Sequence, residues 1–233
     1  MALPGGDTPR GLRGWFSRLM PEPRADEGPP AAEAEPPLIE GPVIASKALK
    51  DFLGYLGTLP APVLLDLGVF SGSNVTRFGQ MLNCKVLVGD LFADLDLHAR
   101  EGRQDELPVF LSTRFGQHDG TVDGVLVWDV FDYLERPAAR ALAAALVRAL
   151  RPDGALMGFF GDASGLGCTR FVLVDDAHLS LRPHESAAPR QAPLQNRDIL
   201  KMFDGLRVAD SFLLQNGRRE MLFRKGGVGR PVI

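Results

Sequence analysis

Apolar residues in this chain recur in two alternating rhythms. Short continuous runs of about five residues alternate with longer stretches of helical spacing. In residues 44–56, Leu49, Phe52, Leu53 and Leu56 fall on one helical face. The run at 63–67, bounded by Pro62 and Gly68, suits a buried parallel strand. A second helix is predicted from about Ser73, with Val75, Phe78 and Leu82 inward, and strands follow at 85–90, 123–128 and 155–160. Between the last two lies a strong helix, with Pro137 in its first turn, that runs to Leu150. The region 95–122 has no clear period, and a third strand is placed at Leu107 to Leu111.

After Gly161 the pattern changes. Residues 170–174 and 178–182 predict a β-hairpin inserted into the fold, which is read either as a substrate lid around Asp175 to His178 or as a surface decoration. A helix follows at 197–206. Two further strands then bracket Asn216-Gly217, the strongest short-range hairpin signal. Together these elements predict an α/β fold: a doubly wound, mostly parallel sheet ending in an antiparallel hairpin.

The first 42 residues differ from the rest. They hold nine of the chain's 18 prolines, and from Met20 the sequence is mostly Pro, Glu and Ala with little to bury. Residues 1–42 are therefore read as a disordered tail, 43–226 as the folded domain and 227–233 as a flexible end. Within the tail, residues 11–20 place Leu12, Trp15, Phe16, Leu19 and Met20 on one helical stripe beside Arg10, Arg13 and Arg18. A stripe this short is marginal as a helix alone in water. It is read either as docking on a membrane surface or a protein partner, or as folding back on its own domain without further role.

Composition narrows the function. A net charge of −3 argues against a general nucleic-acid binder, so a small-molecule substrate is favoured. Cys84 and Cys168 form no metal-type spacing and read as free thiols of a reducing cytoplasm. The four histidines show no ligand pattern, so no metal site is predicted. No signal peptide or membrane span is evident, and the reading is of a cytoplasmic protein, peripheral to a membrane if residues 11–20 dock there.

The chemistry concentrates in LDLGVFSGS at 65–73, a strand leading through a glycine-containing turn into a helix. Such a turn lets backbone approach a ligand and exposes the N–H groups of a helix start. The dinucleotide pattern GxGxxG is absent, because Phe70 stands at its second glycine, and this argues against a nicotinamide-dependent oxidoreductase. The stretch instead resembles the first motif of class I, Rossmann-like methyltransferases that use S-adenosylmethionine (SAM). Asp66, Gly68 and Gly72 match that motif, and Phe70 departs from it at the middle glycine. Asp90 follows Asp66 by 24 residues, where that family's acidic residue holds the ribose hydroxyls. Residues 123–134 resemble its fourth strand and the loop beyond, and 149–156 the Leu-x-Pro-Gly-Gly element before its fifth.

The resemblance implies SAM as cofactor, held by Asp66, Gly68, Val69, Phe70, Ser71, Gly72, Asp90, Leu91 and Trp128. It implies methyl transfer to an unidentified acceptor, with Asp129 and Tyr133 as catalytic candidates and Asp162 a further possible base. The loop at 128–131 is not the Asn/Asp-Pro-Pro-Tyr of enzymes that methylate adenine or glutamine amides. A methyltransferase-like binding protein without turnover is the alternative, and Phe70 is its support.

Overall fold

The computed structural model describes residues 41–161, 167–214 and 217–227. The stripe at 11–20, the proline-rich linker, Asp162, Asn216 and the final six residues lie outside the described residues. The chain opens with β1 (Val43–Ala45) and α1 (Lys47–Leu56). The predicted helix thus starts three residues late. Ser46 caps it, its hydroxyl accepting the Leu49 N–H, while β1 pairs elsewhere. β2 (Val63–Asp66) passes through the glycine turn into α2 (Gly72–Leu82), which Ser71 caps and left-handed Asn83 ends.

β3 (Lys85–Val88) leads directly into α3 (Leu91–Arg100), and α4 (Leu107–Thr113) follows after one turn of 3₁₀ helix. The third strand expected at Leu107 to Leu111 is therefore a helix. Pro108 lacks the N–H a strand would use and suits a helix's first turn. Leu107 and Leu111, four apart, are buried while Val109 between them is 74% exposed, which does not fit strand alternation. As a result the sheet ends at β3.

β4 (Val122–Trp128) is buried at every position. It is followed by α5 (Arg136–Ala149), β5 (Leu150–Phe160), the pair β6 (Thr169–Leu173) and β7 (His178–Pro183), α6 (Asn196–Met202), β8 (Leu206–Leu213) and β9 (Arg219–Lys225). The main sheet has the order β3-β2-β4-β5-β9-β8. β3, β2, β4 and β5 are parallel, and β9 runs antiparallel to both neighbours. This is the doubly wound sheet with a reversed strand that the sequence predicts. One face packs against α3, α4, α5 and α6, the other against α1 and α2.

The predicted inserted hairpin is β6 and β7, and it gains a third strand, because β1 pairs antiparallel with β7. This small sheet lies over the α1–α2 face, where Phe171, Leu173, Leu179 and Leu181 join the core of that face. Its outer edge is held by Asn74 of α2. The Asn74 amide donates to the Phe171 carbonyl and accepts the Leu173 N–H, both at 2.8 Å. Among the described residues no helix is long and apolar enough to cross a membrane.

Candidate functional site

Asp66 and Trp128 end β2 and β4, and Asp90 follows β3 by two residues, at the carboxyl edge of the parallel strands, where open α/β sheets bind ligands. Asp66 is buried, and its Oδ1 accepts the Gly68 N–H at 3.1 Å and the Trp128 indole N–H at 2.6 Å. Burial raises its pKa to about 6; the two hydrogen bonds hold it down, and the nearby Asp90 charge adds to the rise. Asp90 sits in the left-handed region, at φ 34°, and caps α3 through the Ala93 N–H. Burial raises its carboxyl pKa too, opposed by the Ala93 and Phe70 N–H groups and by His184.

Between these carboxylates runs the turn from Leu67 to Ser71. Phe70 is 48% exposed, so its ring leaves the turn for solvent while its N–H faces Asp90. Val69 and Leu91 are buried in the core of the α3–α5 face, which leaves only their backbone to meet a ligand. Gly68 is required by its neighbour: a Cβ there would stand 2.3 Å from Cδ1 of the Trp128 ring. Trp128 itself has a positive φ of 45°, where β4 turns away, and its indole stacks on Phe171 at 5.1 Å. Phe171 stacks in turn on Phe159 at 5.0 Å. These three aromatics form a wall roofed by the small sheet.

One residue further on, the loop after β4 carries three buried polar side chains, Asp129, Asp132 and Tyr133. Asp129 and Arg218 are both fully buried, and Oδ2 of Asp129 accepts the guanidinium at 3.0 Å. Its Oδ1 has no partner among the described residues. Burial raises the Asp129 pKa to about 7; Arg218 opposes the rise and Asp132 adds to it. Asp132 is paired with Arg190 at 2.7 Å and accepts the Gly161 N–H. The Tyr133 hydroxyl is buried near Asp129 and Cys168 without an oxygen or nitrogen partner among the described residues. Burial, and then the Asp129 charge, raises its pKa above the ordinary phenol value.

The sequence thus places Asp66, Asp90, Trp128, Asp129 and Tyr133 along one sheet edge, as the structure does. It does not reveal Arg218, Arg190 or Phe171. Arg218 directly follows the turn at Asn216-Gly217 and reads there only as part of a hairpin. The turn from Asp175 to His178, for which the sequence leaves a lid or a surface decoration open, closes on itself through an exposed Asp175–His178 pair. Its Ala177 carbonyl accepts the Ser46 N–H at the start of α1.

No protein-family model and no curated protein matches the chain by sequence. Solved structures do match in shape. A SAM-dependent methyltransferase from Clostridium acetobutylicum aligns over 79% of this chain and 93% of its own, at 14% identity and a TM-score of 0.50. The 1,6-didemethyltoxoflavin-N1-methyltransferase of Burkholderia thailandensis aligns over 78% and 79%, at 17% identity and a TM-score of 0.43. A TehB-like SAM-dependent methyltransferase from Corynebacterium glutamicum aligns over 76% and 87%, at 14% and 0.39. Strand order, the reversed β9 and the first of these likenesses agree: the chain has the class I, Rossmann-like fold of SAM-dependent methyltransferases.

Proposed function

We propose that the protein binds SAM along the turn between Asp66 and Gly72 and transfers its methyl group to a small-molecule acceptor that loses a proton. The observation that carries this reading is the pair Asp66 and Asp90. They are two carboxylates at neighbouring strand ends, each pushed toward neutrality by burial, with Asp90 adding to the rise at Asp66. Such a pair is costly in a protein without a ligand. It suits a cationic ligand with a vicinal diol, because Asp90 can accept from the ribose hydroxyls and Asp66 can offset the positive charge.

Bound there, SAM supplies a methyl group already activated for transfer. The chain's own residues supply the rest. Asp129, with a pKa of about 7 and one oxygen without a partner among the described residues, is placed to take the acceptor's proton near neutral pH, and Arg218 holds it in the carboxylate form that accepts the proton. Trp128, Phe171 and Phe159 keep water from that end of the site.

One observation favours a second reading. The Trp128 ring packs against Gly68 and closes that side of the turn, as expected of a binding protein that no longer turns over. Calorimetric titration with SAM and its demethylated product separates the readings. Wild type should bind both. Asp90→Ala should bind SAM about ten- to a hundredfold more weakly, since bonds to a charged group are worth about 1.5–3 kcal/mol, while staying folded and losing only a few degrees of melting temperature with the α3 cap. No binding by wild type overturns the proposal. Tight binding without product across small-molecule acceptors selects the second reading.

A further inference from the structure

A cavity of about 510 Å³ lies off the sheet edge between α3, the start of α4 and the start of α5. It contains none of the residues from Asp66 to Gly72, nor Asp90 or Trp128, and meets the site above only at Tyr133. Its floor is apolar and buried: Leu95, Leu107, Ala138 and Ala188. Its fourth wall, the segment through Ala188 to Gln191, is pinned in place. Asp96 accepts the Ser186 hydroxyl and the Ala187 N–H at 2.6 and 2.8 Å, and the Gln191 N–H donates to the Asp132 carbonyl at 2.7 Å. The cavity is therefore built into the fold, and its volume is that of a site for a small organic molecule.

The charge at its mouth has one sign. Asp105 before α4 and Glu135 before α5 are exposed, stand on different walls, and have no ion-pair partner among the described residues. No Lys or Arg lines the cavity. Three nearby cations are held by other acids: Arg103 by Glu101 and Glu106, Arg136 by Asp198, and Arg190 by Asp132. An apolar chamber with two unpaired carboxylates at its mouth selects a ligand with an apolar body and a positive head.

We propose that this cavity binds a small-molecule amine, its hydrocarbon or aromatic body on the Leu95–Leu107 floor and its ammonium between Asp105 and Glu135. The proposal is independent of SAM binding. Calorimetry on the full chain with 2-(1-naphthyl)ethylamine, the corresponding alcohol and 1-naphthylacetate tests it. The amine should bind at least about tenfold more tightly than the acid, with the alcohol between them and the amine's advantage shrinking in high salt. Asp105→Asn and Glu135→Gln, both at exposed positions, should each weaken the amine about two- to fivefold and leave the alcohol unchanged. Ala99→Phe, which fills the cavity from α3, should weaken amine and alcohol alike, whereas Asp90→Ala should change neither. Acid binding as tight as amine, no amine binding at millimolar concentration, or rim variants that leave the amine's affinity unchanged would each overturn the proposal.

Discussion

Replacing Asp66 with asparagine removes a charge while keeping the acceptor oxygen that the Gly68 and Trp128 N–H groups use. In the folded protein the carboxyl titrates at about 6, against 3.8 in an unfolded chain. The native state thus holds this proton to higher pH than the unfolded state does. The group's contribution is most favourable below pH 4 and is lost as pH rises through 6. A rise of about two pKa units corresponds to about 3 kcal/mol lost by pH 8, at 1.36 kcal/mol per unit. Asp66→Asn should therefore match wild type near pH 4 and exceed it by about 3 kcal/mol at pH 8. For a domain of this size that is a rise of roughly 6–12 °C in melting temperature. Urea unfolding of both proteins from pH 4.5 to 8 reads the difference directly, and the raised carboxyls other than Asp90, whose charge is coupled to that of Asp66, cancel because both proteins share them. A variant no more stable than wild type at pH 8, or one whose advantage does not grow with pH, refutes the argument. It would mean that the charge strengthens the two hydrogen bonds by more than its burial costs. If the variant is stabilised and also loses SAM affinity, Asp66 is held at a cost in stability, as expected of a binding residue.

Three further outcomes follow from the packing. Arg218→Leu leaves Asp129 buried without its counter-charge and should cost about 3–5 kcal/mol in urea unfolding at pH 8, less at pH 5 where Asp129 is protonated; an equal loss at both values would separate the effect from that charge. Asn74→Ala should cost about 2–4 kcal/mol and loosen β6, seen as faster amide exchange at Leu173, because both groups on that strand edge lose their partner; unchanged exchange there contradicts the role. Removing residues 1–40 should leave the melting temperature and SAM affinity nearly unchanged while abolishing any liposome or pull-down signal, and a large loss of stability would place the 11–20 stripe in the core.

What could be read from the sequence was what local chemistry decides. The turn from Asp66 to Gly72 follows a short apolar run and carries a glycine, and the structure has both in place, with the helix starting one residue before the expected Ser73. Leu107 to Leu111 failed as a strand because five mostly apolar residues satisfy either period. Pro108 was the local feature that could have decided it for helix. The start of α1 failed for a longer-range reason. Ser46 is a legible cap, but its hydroxyl and the Lys47 N–H are both anchored by buried Glu220 of β9, 174 residues from Ser46. No periodicity carries information over that distance.

The same limit explains Arg218. A carboxylate buried at a strand end, as Asp129 is, needs a donor, so the sequence does imply that some partner exists. It does not say which of 26 basic residues supplies it. The choice is made by the reversed last strand. β9 lies antiparallel against β5, so the hairpin end of β9 returns to the carboxyl edge of the sheet and delivers Arg218 beside Asp129. A parallel last strand would carry its first residues to the opposite edge, and the carboxylate would be left unpaired. The reversal that the Asn216-Gly217 turn announces is thus the feature that supplies Asp129 with its cation. The topology was legible, and its consequence for the site appears only once strand order and direction are known together.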